Sequence, residues 1–374
     1  MEDVGVGSWL AHGGQDDGGA AVVPGIPMST TWRRGEDNAL IDPDQLYLRD
    51  QSPLVRRVED VVARLEGAAA ACLFGSGMAA VAAVVRSVPA GGTLLLQDGS
   101  YWGTTAFVRD HCAHAGVTLV EVDTTDADAA AAAVDVHRPD LVLVEVPSNP
   151  LLGITDVAAL AGVTHAHAGV LAVDATAATP LGMRPLALGA DLSVHSATKE
   201  LNGHSDVLAG VVSTTDTAAA AWVRVVGERA RGGAVIGQVE AWLLLRGLRT
   251  LHLRHERAVA NAAAVAEWLL AHPEVHRVLH PSLPEHPGAE VHARQASDAG
   301  ALLSFRVRGG QQAALRVLSR LRLVARATSL GGTESLAEHR ASVQDGVPDD
   351  LLRLSVGVED LADLLADLEH ALHP

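Results

Sequence analysis

The sequence has little cysteine, almost no lysine and few aromatic rings, and each shortage narrows what the chain can be. Two cysteines, Cys72 and Cys112, occur in 374 residues. That is too few for a disulfide framework, so a reducing compartment, the cytoplasm, is expected. No run of basic residues occurs and the formal net charge is -17, which argues against nucleic acid or an anionic membrane as a partner. The opening residues, MEDVGVGSWLAHGG, hold neither the basic nor the apolar region of a secretory signal. An uncharged stretch at 67–85 is long enough to span a membrane, but Gly75 and Gly77 interrupt it. A buried helix preceded by a glycine turn is expected there instead.

Of the 28 lysines and arginines, only Lys199 is a lysine. Arginine supplies surface charge as well as lysine does, but it cannot supply a neutral amine. A single lysine is therefore either a survivor of composition bias or a residue kept for amine chemistry, and its surroundings decide. They are DLSVHSATKELNGHSD: an apolar strand, two hydroxyl residues, Ser196 and Thr198, then the lysine. A lysine beside phosphate-binding hydroxyls suggests a Schiff base with a phosphorylated aldehyde, pyridoxal 5'-phosphate. Asp174 ends the apolar run GVLAVD, where an unpaired carboxylate is costly and a pyridinium nitrogen is a fitting partner; capping of the next segment is the plainer alternative. GSGM at 75–78 opens an apolar helix whose first N–H groups suit a phosphate. The only tyrosines, Tyr47 and Tyr101, sit in YLRD beside Arg49 and in DGSYWGTT.

Short apolar runs at 93–97, 117–122, 141–146, 169–174 and 207–212 alternate with helical stretches. This predicts an α/β fold with a mostly parallel sheet and ligands at its carboxyl edge. After about residue 245 the pattern changes to a long helix at 253–271, strands at 275–279 and 301–307, a helix at 311–320 and an amphipathic tail. The expected organisation is an arm at 1–46, a cofactor-binding large domain at 47–245 and a smaller α/β domain at 246–374.

These pieces resemble the Cys/Met metabolism family of pyridoxal-phosphate-dependent enzymes, of the cystathionine gamma-synthase, cystathionine gamma-lyase and methionine gamma-lyase type. The resemblance runs from about residue 12 to the end, through YLRDQSP, SGMAA, YWGT, EVPSNPLL, GADLSVHSATKELNGHSD, RGLRTLHLR, SLGGTESL and RLSVGVED. It implies a fold-type I transferase architecture and γ-elimination or γ-replacement on a sulfur-containing or O-activated homoserine-type amino acid. It also implies roles. Lys199 would carry the cofactor and move protons, and Asp174 would pair with the ring nitrogen. Tyr101 would stack on the ring and serve as an acid or base. Gly77, Met78, Ser196 and Thr198 would bind the phosphate, with Asn149 near the ring hydroxyl. Tyr47 and Arg49 would reach the site of a neighbouring copy in a homodimer or homotetramer. Ser329 and Arg353 would hold the substrate α-carboxylate.

Several positions depart from the family. Ser52-Pro53, Ala175-Thr176-Ala177, Glu200 and Arg340 stand where Asn-Pro, Asn-Thr-aromatic, an aromatic and proline are usual. Ala106 and Thr328 replace the ionic partners of a distal amino-acid group, and Gly103 replaces the cysteine of methionine gamma-lyases. A C–S lyase or transferase acting on a small amino acid is expected, with cystathionine chemistry, a specialised-metabolite lyase or an inactive cofactor-binding protein as alternatives. Histidine pairs such as His111/His114 and His252/His255 have helical spacing, but no metal site is expected.

Overall fold

A computed structural model describes residues 4–13, 21–42 and 45–373. Seven short strands form the first sheet: β1 Ala70–Phe74, β2 Thr93–Gln97, β3 Thr118–Val122, β4 Leu141–Glu145, β5 Val170–Asp174, β6 Leu192–His195 and β7 Gly210–Thr214. Their order is β1-β7-β6-β5-β4-β2-β3. The five strands from β3 to β6 are parallel, and β7 runs antiparallel between β6 and β1. Successive side chains of a strand face opposite ways. Leu94, Leu96, Leu143 and Val194 pack against helices on one face, while Leu95, Val142, Val144, Leu171 and Val173 pack on the other. Burial on both faces explains why these strands read as unbroken apolar runs.

The stretch at 67–85 holds the expected helix after its glycine turn, and before the turn a strand that was not expected. Its first part, Ala70–Phe74, is a strand, and only Gly77–Val85 is helix. Alanine there favours helix locally, but pairing with β7 along all five residues decides for strand. No described helix is long and apolar enough to cross a membrane.

The helix Leu251–Ala271 links two cores. Leu251 belongs to the core under the first sheet, and Ala258 to Leu269 belong to the second. The second sheet holds β8 Val275–Leu279, β9 Leu302–Val307, β10 Ala325–Arg326, β11 Leu336–His339 and β12 Leu351–Ser355, in the order β10-β11-β12-β9-β8. Its outer face packs Leu303, Phe305, Leu352 and Leu354 against helices Gly310–Arg320 and Leu361–Leu372. By the two-residue alternation, Arg353 points the other way, toward the first sheet. Leu302 and Leu351 do the same and meet Leu152 and Ala177. The inner face of the small sheet thus closes over the carboxyl edge of the large one.

Candidate active site

A cavity of about 400 Å³ lies between the two sheets. Ten of the twelve residues singled out from the sequence line it: Gly77, Met78, Tyr101, Asn149, Asp174, Ser196, Thr198, Lys199, Ser329 and Arg353. Tyr47 and Arg49 do not; both are exposed, with the Arg49 guanidinium 5.2 Å from the Tyr47 ring centre.

The carboxyl ends of the parallel strands supply one wall. Glu145 ends β4 and Asp174 ends β5, and the two are direct register partners. Burial pushes the Glu145 carboxyl well above its usual range, and the nearby Asp174 pushes it further. Burial also raises Asp174, but hydrogen bonds from Thr176 oppose this, as does the charge of His195. Asp174 Oδ1 accepts both the hydroxyl and the N–H of Thr176, the latter at 3.0 Å. Among the described residues its Oδ2 has no hydrogen-bond partner, so it is open to a cation in the cavity.

The helix Gly77–Val85 begins at the cavity, capped by Ser76, whose hydroxyl accepts from Ala79 N–H at 3.1 Å. The N–H groups of Gly77 and Met78, in its first turn, have no intrahelical carbonyl to meet. Glycine is required at 77, because a Cβ would lie 2.6 Å from the Cβ and Oγ of Ser196. The Ser196 hydroxyl has no protein partner among the described residues. Thr198 is different: its hydroxyl donates to the Ala209 carbonyl at 3.1 Å and accepts the Ala209 N–H at 2.9 Å.

Lys199 Nζ donates to Ser329 Oγ at 2.8 Å. Burial, and then the charge of Arg353, lower its pKa, while Glu338 opposes them. Ser329 has φ 82°, a left-handed conformation that costs a non-glycine residue about 1–3 kcal/mol unless its surroundings enforce it. Arg353 Nη2 donates to the Ser329 carbonyl at 2.7 Å and meets Glu338 Oε2 at 2.9 Å; Nη1 donates to Asn149 Oδ1 at 3.4 Å. Arg353 and Glu338 face each other across the β12–β11 register, so the sheet itself sets this pair. Tyr101 donates its N–H to Glu145 at 2.7 Å. Burial raises its phenol pKa, and the charge of Arg340 opposes.

The residues fit pyridoxal phosphate. A helix start with unmet N–H groups, a free hydroxyl at Ser196, an open carboxylate oxygen at Asp174 and an amine whose pKa burial lowers are what a phosphate, a pyridinium and an aldehyde require. Fold and site together define an α/β, fold-type I pyridoxal-phosphate enzyme. The model of the family described as "Cys/Met metabolism PLP-dependent enzyme" matches residues 8–373, and the chain belongs to that family. Cystathionine gamma-synthase of Mycobacterium tuberculosis is 42% identical over 335 residues, covering 87% of this chain and 86% of that protein. L-methionine gamma-lyase of Fusobacterium nucleatum is 36% identical, covering 100% and 99%. The crystal structure of apo CalE6, a methionine gamma lyase from Micromonospora echinospora, superposes with a TM-score of 0.93 at 39% identity, covering 100% of both chains.

Among the lining residues that had no role in the sequence reading are Glu145, Thr176, Glu338 and Arg340. Glu145 carried the same signal as Asp174, an acid closing an apolar strand. The departures find local explanations too. Ser52 caps the helix Pro53–Glu66, its hydroxyl accepting from Val55 N–H at 3.2 Å. Glu200 accepts from His255 Nδ1 at 2.8 Å. Thr328 lines the cavity, whereas Ala106 is exposed on the helix Trp102–Ala115. Among the described residues no group of His, Cys, Asp and Glu could hold a metal ion.

Proposed function

We propose that the chain carries out γ-elimination or γ-replacement on a sulfur-containing or O-activated homoserine-type amino acid. The observation that carries this reading is one cavity that joins the only lysine, the open Asp174 carboxylate and the buried Arg353. Pyridoxal phosphate, when bound, supplies a carbonyl for amine capture and an electron-withdrawing ring that stabilises negative charge at the substrate Cα.

The chain's own residues do the rest. Lys199 holds the cofactor covalently, then takes the proton from the substrate Cα; burial and the charge of Arg353 lower its pKa and so favour the free amine. Asp174 would hold the ring nitrogen through its open Oδ2 and favour its protonated form. Gly77 and Met78 N–H groups and the Ser196 hydroxyl hold the phosphate; Thr198 joins them only by giving up its bond to Ala209. Tyr101 covers the ring, with Asn149 beside the ring hydroxyl. Arg353 and Ser329 orient the α-carboxylate, Arg353 by its planar fork.

Tyr47 and Arg49 are proposed to complete the site of a second copy, which makes the active unit at least a dimer and, by family likeness, a tetramer. The arm at 1–46 and the domain division near 245–246 are proposed with it, supported by the two separate sheets. A cytoplasmic location is proposed from the two unbridged cysteines.

The test is the visible absorption spectrum of protein loaded with the cofactor and freed of excess. A retained band that Lys199→Ala removes is expected, followed by release of 2-oxo acid from a panel of γ-substituted amino acids. A band indifferent to Lys199→Ala, or no product from any member of the panel, would overturn the reading.

A further inference from the structure

We propose that the chain holds a second small-molecule site, a groove behind the loop 148–154, which takes an organic monocarboxylate with an apolar body. The reaction proposed above makes no use of it.

The groove encloses about 350 Å³ and shares no lining residue with the active-site cavity. One wall is the inner face of the small sheet, where Leu279 of β8, Arg306 of β9 and Leu351 of β12 lie. The other wall is Leu151, Gly153 and Ile154, from the loop that carries Asn149 into the active site. Ser304 Oγ ties the walls together by donating to the Pro150 carbonyl at 2.7 Å. Gly288, before the helix Ala289–Gln295, closes one end; a Cβ there would lie 2.5 Å from the Ile154 Cβ.

Two arginines meet at this groove. Arg277 and Arg306 are direct register partners across β8 and β9. Continued from the Val275–Val307 pair, the register would set His276 against Arg306 and turn Arg277 to the outer face with Phe305. A register shift between Val275 and Arg277 brings Arg277 to the inner face instead. Like charges directly opposite each other on a sheet are destabilising. Asp350 relieves one of them: its Oδ1 accepts from Arg306 Nε at 2.6 Å, and its Oδ2 meets His276 Nε2 at 2.8 Å. Arg277 lines the groove with no hydrogen-bond or ion-pair partner among the described residues.

No acid lines the groove, and its other polar side chains add no charge. Burial carries the His286 pKa down to about 4, with the charge of His292 acting the same way, so its ring is neutral. The Thr125 hydroxyl donates to Asp123 at 2.6 Å. One positive charge is therefore left over beside apolar walls, in a space of the size that holds small ligands. One negative charge cancels it, and a guanidinium fork suits a planar carboxylate. A phosphate ester with two charges overshoots, and a zwitterion brings an ammonium that no lining acid meets.

The test is isothermal titration calorimetry on the holoenzyme, with L-norleucine in excess to occupy the active site. Three probes share one apolar body: 4-phenylbutyrate, 4-phenylbutan-1-ol and 4-phenylbutyl phosphate. The carboxylate is expected to bind at least about tenfold more tightly than the alcohol, the scale of one charged hydrogen bond. Arg277 is exposed, so Arg277→Ser should fold normally and leave the cofactor band and turnover unchanged. It should bring carboxylate and alcohol within about threefold, and Arg277→Lys should keep part of the preference. Equal binding of carboxylate and alcohol to the wild type overturns the proposal, as does carboxylate binding that Arg277→Ser leaves intact. Binding that L-norleucine displaces lies in the active site and overturns it too. Tighter binding of the phosphate overturns the assignment to a single negative charge, and no heat from any probe overturns the site itself.

Discussion

Two buried ionic clusters of similar make-up lie within the molecule, and they are built to opposite ends. In the first, Arg340 and Arg353 share Glu338, cationic charge is in excess, and both Nε–H groups lack partners beside a cavity. In the second, His255 sits between Glu200 and Asp298, with Nδ1 and Nε2 each 2.8 Å from a carboxylate oxygen. Arg254, packed against the Glu200 and Leu201 carbonyls, adds the second positive charge, so the anions are matched. Asp298 also accepts from Gly300 N–H at 2.9 Å, and His292 donates to its carbonyl. The lesson is that burial of charge does not by itself mark a functional site. Imbalance and unmet donors facing a cavity do; a balanced and satisfied cluster is a fastener.

The fastener should break hardest. His255→Met leaves Glu200 and Asp298 buried without their shared cation, at a cost of about 3–5 kcal/mol. Equilibrium denaturant unfolding measures it. A loss under about 1 kcal/mol would mean that the cluster does not hold the structure. Because Glu200 follows Lys199 directly, the cofactor band should weaken alongside.

The same cluster fixes a pH dependence. Burial opposes protonation of His255, but the hydrogen bonds to Asp298 and Glu200 outweigh it and carry its pKa to about 10. The folded value lies above the unfolded one of about 6.5, so the stabilisation is complete below that pH. It is lost progressively as pH rises through 10. The difference in unfolding free energy between wild type and His255→Met should therefore shrink from pH 6.5 upward, and a difference that stays flat to pH 10 would contradict the assignment.

The open cluster should respond in the reverse way. Arg340→Met removes the surplus cation yet leaves Glu338 paired with Arg353, so stability should change by less than about 1 kcal/mol. A loss as large as that expected for His255→Met would erase the contrast between the two clusters.

Much of this was legible in the sequence because the signals were local. The run TLLLQ became β2 residue for residue, VHRVL became β8, and Lys199 stood out by scarcity. Of the ten named residues that reached one cavity, Tyr101, Asn149, Asp174, Ser196, Thr198 and Lys199 sit at strand ends or in the loops that follow them, Gly77 and Met78 at a helix start, and Arg353 enters by strand alternation in β12. What stayed hidden depends on register and on distant pairing. Glu338 meets Arg353 only because β11 and β12 pair antiparallel in that register. Arg340 and Glu200 looked like lapses from a family pattern; their partners, Gln344 and His255, were four and 55 residues away. Residues 70–74 are alanine-rich, so helix propensity concealed a strand made by its neighbour.

The smallest expected effect gives the finest comparison, and the scarcity of tyrosine makes it measurable. Tyr101 is one of two tyrosines, so Tyr47→Phe leaves a single phenol beside the open cluster. Burial raises its pKa, and Arg340 is the first charge that pulls it back. Removing that charge with Arg340→Met should move the phenol further up, by a fraction of a unit to about one unit for a pair near the surface of a cavity. Carbon-13 labelling of the tyrosine ring reads this from one resonance, followed through the alkaline range in parent and variant alike. His255→Met, which alters the closed cluster alone, should leave the phenol where it was. If both variants move it equally, the two clusters are electrostatically one, and the contrast between an open and a closed cluster is lost.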